Sequence, residues 1–239
     1  MQKTIGKVAR KNSERFIVKI RIVHNANRYH FLIHRCGLRY NAIIKEIKMK
    51  TALLLIDIQK DYFPGGRMEL VQPLEAARKA YELLQCFREH HQAHVHIQHV
   101  STSSTATFFL PGTNGTDIHD SVAHFEGEPL VVKHHPNSFR ETNLLELLKS
   151  WEVERVIVTG MMTHMCVDAT ARAAADFGFR VIIAEDACAT RDLKYDDTVI
   201  PADHVHKAFL AALKSYGQVM TAEQVIVHLA GEQVKSTGI

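Results

Sequence analysis

The chain lacks several things, and each absence removes a class of function. None of its 239 residues belongs to a run approaching the roughly 18 consecutive apolar residues of a membrane-spanning helix. Cysteine is scarce: Cys36, Cys86, Cys166 and Cys188 form no Cys-x-x-Cys pair and no dense framework. That excludes a disulfide scaffold, fits a reducing cytoplasm and leaves any reactive thiol to act alone. Neither a Gly-x-Gly-x-x-Gly nor a Gly-x-x-x-x-Gly-Lys-Ser loop is present, so no nucleotide cofactor is expected. Acidic residues are nearly missing from one region. Residues 1–48 hold twelve Lys or Arg against Glu14 and Glu46 alone, net +10. The remainder holds 17 basic and 24 acidic residues, net −7.

That asymmetry divides the chain. Residues 1–48 read as a basic extension with short alternating pieces, Arg15–Val23 and Tyr29–His34. A basic arm for nucleic acid or a membrane surface is one reading, and an Arg-rich targeting segment another. The composition break favours a third, in which the working protein starts at Met49 and residues 1–48 stand outside the fold. Residues 49–230 then make one α/β domain and residues 231–239 a tail.

From Thr51 the pattern alternates strand and helix. Ala52–Ile56 is a continuous apolar run, as in a parallel strand buried on both faces. Pro73 opens a helix over Leu74–His91, and His94–Val100 is the second strand. Leu130–Lys133, Val156–Thr159, Val181–Ala184 and Gln218–Met220 supply four more strands. The intervening helices are Asn143–Ser150 with Thr142 as cap, His164–Phe177 closed by Gly178, Ala202–Ser215, and Ala222–Leu229 capped by Thr221. Residues 101–129 are rich in Ser, Thr and Gly, a loop long enough to be functional. Alternating strands and helices imply a mostly parallel sheet covered on both faces.

Cys166 sits where the fourth strand passes into its helix. Free N–H groups and the positive end of a helix dipole favour a thiolate there and can hold an oxyanion. A lone Cys beside an apolar run is also an ordinary core residue, and position alone does not separate the two. In parallel α/β sheets ligands bind outside the carboxyl ends of the strands. Asp57 ends the first strand, Lys133 ends the third and Cys166 follows the fourth. An acid, an amine and a thiol therefore share one rim.

The segments Leu55-Ile-Asp57-Ile-Gln59-Lys-Asp61-Tyr62-Phe63, Val131-Val-Lys133-His-His-Pro-Asn-Ser138-Phe139 and Thr159-Gly160-Met-Met162-Thr163-His-Met-Cys166-Val167 carry a resemblance. In order, spacing and context, over about residues 50–228, they resemble the isochorismatase-like cysteine hydrolases. That superfamily includes nicotinamidase, N-carbamoylsarcosine amidase and ureidoacrylate-type amidohydrolases. The resemblance implies a three-layer α/β/α fold around a six-stranded, mostly parallel sheet, a small-molecule substrate and a homo-oligomer. Neither nucleic acid nor membrane is expected as a partner. It also implies a triad of Asp57, Lys133 and Cys166, and a non-proline cis peptide at Met161–Met162. The N–H groups of Met162 and Cys166 would then form an oxyanion hole.

Two departures narrow the subfamily. True isochorismatases, which cleave a vinyl ether, generally lack this thiol, so its presence points to C–N hydrolysis. Vinyl-ether cleavage and a non-catalytic binding protein remain as alternatives. Nicotinamidases carry a metal through an Asp-x-His pattern after strand two, where this chain reads His99-Val100-Ser101-Thr102-Ser103. Metal-free chemistry is expected, despite His90, His91, His94, His96 and His99 nearby. The long loop supplies Phe108, Phe109 and His119 as pocket candidates, and the first segment supplies Tyr62 and Phe63. Cys188, Trp151, Met161 and Met165 read as packing residues.

Overall fold

The computed structural model describes residues 3–11, 14–25, 28–33 and 49–236. The chain forms two compact units, Met1–Ile47 and Lys48–Ile239. The first holds an antiparallel sheet of β1 (Lys3–Lys11), β2 (Glu14–Asn25) and β3 (Arg28–Ile33), in that order. Cys36 lies outside the described residues.

The second unit carries a six-stranded sheet. Its strands are β4 (Thr51–Ile56), β5 (Ala93–His99), β6 (Leu130–Lys133), β7 (Arg155–Met161) and β8 (Arg180–Ala189). After a small hairpin of β9 (Leu193–Tyr195) and β10 (Thr198–Ile200), β11 (Gln218–Met220) completes it. The hairpin has no counterpart in the sequence reading, because three-residue strands are too short to show a period. The spatial order is β11-β8-β7-β4-β5-β6, every pair parallel. The order reverses direction between β4 and β7, and at that switch point the strand ends diverge and leave a crevice.

The apolar runs explain the three layers. Leu53 and Leu55 point to one face, joining α1 (Pro73–Glu89) and α5 (Ala222–Ser236). Ala52, Leu54 and Ile56 point to the other, joining α2 (Leu144–Ser150), α3 (Asp168–Asp176) and α4 (Ala202–Leu213). A central strand needs apolar residues at every position because both faces are covered. Each fully buried Leu or Ile contributes about 1.5–3 kcal/mol. No described helix is long and apolar enough to cross a membrane.

Several boundaries differ from the sequence reading. The residues expected to begin a helix at His164 instead form a π-type turn over Thr163–Val167, and α3 starts at Asp168. The last helix does not stop at Leu229. It continues through Ser236, so most of the expected tail is helical. The reason is tertiary. Arg155, almost fully buried at the start of β7, donates to Glu232 at 3.0 and 2.7 Å, and that pairing rewards an extra helical turn. The start of α5 is a capping box: Thr221 Oγ1 accepts from the Gln224 N–H at 3.2 Å, and Gln224 Oε1 accepts from the Thr221 N–H at 2.9 Å.

Candidate active site

The strand order decides which side chains meet. Cys166 follows β7, Asp57 follows β4, His99 closes β5 and Lys133 closes β6, so four neighbouring strands deliver four polar groups to one rim. Lys133 Nζ donates to Asp57 Oδ2 at 2.8 Å, and both side chains are fully buried. The ammonium also donates to the carbonyls of His135 and Pro136, at 3.1 and 3.3 Å, and lies 3.3 Å from His99 Nδ1. The acceptor-bearing segment is itself fixed: the Ser138 N–H and hydroxyl bond to Thr170 Oγ1 on α3, at 3.1 and 2.8 Å.

The turn carrying Cys166 is built by a close approach. At Gly160 a Cβ would lie 1.9 Å from the Ile56 carbonyl oxygen, and φ is +120°. Only glycine fits there. The pairing of β7 with β8 shifts register at this point, and the Met161–Met162 peptide that follows is cis. The Met162 carbonyl then accepts from the Met165 and Val167 N–H groups, at 3.0 and 3.3 Å, which sets the π-type turn carrying Cys166. Cys166 is 4% exposed, so its thiol has little water around it.

Electrostatics follows from burial. Desolvation pushes the Cys166 thiol upward, the Asp57 carboxylate adds to that, and the Lys133 ammonium opposes both. Desolvation would lower the Lys133 amine, but Asp57 and Cys166 outweigh it and raise it. His99 is held down to about 4, by burial first, against the pull of Asp57 and with help from Lys133. The resting site is thus a thiol, an ammonium and a neutral imidazole. Asp57 Oδ1 is buried with no hydrogen-bond partner, while Oδ2 is tied to Lys133. Such a bare carboxylate oxygen is costly to bury and can receive a proton. Asp57 also sits at φ +51°, a strained conformation that turns it out of the strand.

The expected pocket residues fall into two groups. Tyr62, Phe108 and Phe109 cluster: the Tyr62 ring lies 5.8 Å from Phe108 and 4.6 Å from Phe109, and Phe109 lies 5.8 Å from the His99 ring. Burial first, then the Cys166 and Asp57 charges, push the Tyr62 phenol well above its ordinary value. Phe109 stands at φ +54°, pinned by the Asp61 carboxylate, which accepts its N–H at 2.6 Å. Phe63 and His119 instead stack on each other at 3.6 Å and line a separate cleft of about 540 Å³ with Lys60 and Arg67. Cys166 is not part of that lining.

Sequence reasoning missed His99 and Gln59. Gln59 is fully buried, accepts from the His99 N–H at 2.7 Å, and donates to the carbonyls of His99 and Thr116 at 2.9 and 2.8 Å. The available signal was position. His99 closes a strand on the ligand-binding rim, whereas its grouping with other histidines of the same stretch hid it. His94 lies elsewhere, bonded to Glu128 at 3.0 Å.

Comparison with known proteins gives the family. The Isochorismatase domain model matches residues 51–224. The chain belongs to the isochorismatase family of hydrolases. It is 48% identical over 176 residues to the uncharacterized isochorismatase family protein YddQ of Bacillus subtilis (strain 168), covering 73% of this chain and 98% of that protein. A solved structure from Oleispira antarctica, assigned to the isochorismatase hydrolases, superposes with a TM-score of 0.72 at 42% identity, covering 80% of this chain and all of that one. Maleamate amidohydrolase of Pseudomonas putida is 28% identical over 200 residues, 76% of this chain and 89% of that protein.

Proposed function

We propose that this family member is a metal-free cysteine hydrolase cleaving a C–N bond of a small amide, carbamoyl or ureido compound. The single observation carrying this reading is the Asp57 carboxylate, with one oxygen on Lys133 and the other bare, beside a buried thiol. A relative named for amide hydrolysis, maleamate amidohydrolase, supports the bond class.

In this mechanism Asp57 takes the Cys166 proton as the sulfur attacks the carbonyl carbon. The oxyanion forms against the N–H groups of Met162 and Cys166. Asp57 then delivers the proton to the leaving nitrogen, the C–N bond breaks, and the acyl group remains on sulfur as a thioester. Water, deprotonated by Asp57, attacks the thioester and releases the acid and the thiol. Lys133, bonded to Asp57, offsets the thiolate charge.

Asp57, His99 and Cys166 present ligand atoms within 4.8 Å of one another, a spacing that could hold a metal ion. Lys133 Nζ already bonds Asp57 and lies 3.3 Å from His99 Nδ1, so the ammonium serves as the cation of the site.

The test is a screen of amides, carbamoyl and ureido compounds for ammonia release, with Cys166→Ala as control. Turnover lost in the variant by about 10³-fold or more supports the thiol mechanism. Turnover retained in the variant removes it. Pyruvate released from isochorismate, with no ammonia from any amide, would replace C–N hydrolysis by vinyl-ether cleavage.

A further inference from the structure

His99 lies between the catalytic carboxylate and the catalytic amine, on the strand that separates theirs. Its Nδ1 is 3.3 Å from Lys133 Nζ, 3.9 Å from Asp57 Oδ2 and 4.0 Å from Cys166 Sγ. Three reacting groups therefore surround one ring nitrogen. An ammonium has three donors and no acceptor, so Nδ1 accepts by sharing one N–H with the Pro136 carbonyl, also at 3.3 Å, which puts the imidazole proton on Nε2. We propose that His99 is a positioning residue of this site: through Nδ1 it holds the Lys133 ammonium toward Cys166 Sγ rather than wholly against Asp57. The inference rests on the thiol mechanism above and adds the group that divides one cation between two anions.

Three features of the structure support it. Gln59 grips the main chain of His99 on both its N–H and its carbonyl, so the ring is delivered from a fixed backbone. The Phe109 ring, 5.8 Å away, is itself pinned by Asp61 and confines the imidazole. The depressed basicity of His99 keeps it neutral at neutral pH, and only a neutral imidazole can accept from an ammonium. The titratable groups facing it are Asp57, Lys133 and Cys166, with His134 and His135 as further cationic influences. Tyr62 packs on Phe109 with ring centroids 4.6 Å apart and also feels the Cys166 and Asp57 charges.

The chemical consequence concerns the thiol. Lys133 is the group that lowers the Cys166 pKa against burial and Asp57. Without an acceptor at Nδ1, the ammonium settles on Asp57 and the two carbonyls, farther from sulfur. Thiolate formation then needs a higher pH.

The experiment measures alkylation of Cys166 by iodoacetamide from neutral to alkaline pH, read by peptide mass so that Cys86 and Cys188 are counted separately. His99→Asn places an oxygen near the Nδ1 position. His99→Gln places one near Nε2, and His99→Leu removes the acceptor. Leu and Gln should slow alkylation at neutral pH about 10-fold and raise its midpoint by about one pH unit. Asn should stay within about 3-fold of the parent protein, since its amide oxygen can accept the Lys133 N–H in place of Nδ1. A merely structural histidine would not distinguish Asn from Gln. Equal profiles for Asn and Gln, or an unchanged profile in Leu, would overturn the proposal; if Leu does not fold, the Asn–Gln difference decides it. Alkylation needs no substrate. Retained turnover in Cys166→Ala therefore defeats the thiol mechanism without touching this result, and an unshifted profile defeats the role of His99 without touching that mechanism.

Discussion

Strand β5 carries a buried histidine, His96, and a half-buried one, His99, three positions apart, and their surroundings have opposite designs. His96 is fully buried beside Glu128, Arg88, His94 and His124. There the carboxylate is saturated. Arg88 grips both Glu128 oxygens at 2.7 and 2.8 Å, His94 approaches at 3.0 Å and the Phe125 N–H donates at 3.0 Å. Burial works against the Glu128 charge, but these donors prevail and hold its pKa down to about 2. The histidine is the group left over: His96 Nε2 is 3.3 Å from Glu128 but misaligned, and neither ring nitrogen has a hydrogen-bond partner. Around His99 the histidine is engaged and the carboxylate is left short, with Asp57 Oδ1 bare. A saturated carboxylate is a structural anchor. One kept short of a donor, beside a thiol, is poised to accept a proton.

Replacing each carboxylate by its amide tests that contrast most directly. Asp57→Asn should cut kcat by about 10²–10⁴-fold, the usual range for removing a general acid–base, and should also lower the melting temperature, because it leaves the buried Lys133 ammonium without its counter-charge. Steady-state kinetics and thermal melting on the same preparation check it. If Asp57→Asn melts much earlier while keeping its activity, the two clusters have been assigned the wrong way round.

Glu128→Gln should cost stability alone. It takes the counter-charge from Arg88 in a part-buried ion pair and lowers stability by less than the roughly 3–5 kcal/mol of a fully buried one, while kcat per folded molecule stays that of the parent. Denaturant unfolding gives the stability change, and active-site titration with iodoacetamide corrects the rate for folded protein.

A smaller effect concerns pH. His96, like His99, has a folded pKa of about 4 against an ordinary 6.5, in each case from burial first. Between those values the unfolded chain binds more protons, so stability should rise with pH through that window and be fully present above it. His96→Leu removes one of these contributions. The slope of unfolding free energy against pH should become shallower, the remainder coming from His99 and from His119, His164 and His206, whose basicity burial also lowers. At neutral pH the variant should lie within about 1 kcal/mol of the parent, because His96 makes no aligned hydrogen bond to lose. An undiminished slope would show that His96 is already charged in the folded protein.

Much of this protein was legible along the chain. The run Ala52–Ile56 has no polar interruption, which suits a strand covered on both faces. Pro73 at the first turn of α1, Gly178 after α3 and Thr221 before α5 mark ends whose causes are local. Asp57, Lys133 and Cys166 could be placed on one rim because parallel strands all present their carboxyl ends the same way. Elements depending on distant partners were not readable. The added turn of α5 depends on Arg155, and the π-type turn before α3 is set by the close approach at Gly160, whose partner is Ile56.

By itself, then, the sequence determined the alternation of strand and helix, the caps and the chemical types at the strand ends. These follow from local propensity and from a two-sided burial that any parallel sheet imposes. Only the tertiary structure decided that β5 lies between β4 and β6, and so that His99 stands between Asp57 and Lys133. Strand order arises from packing choices among well-separated segments, and no local pattern encodes which neighbour a strand will take.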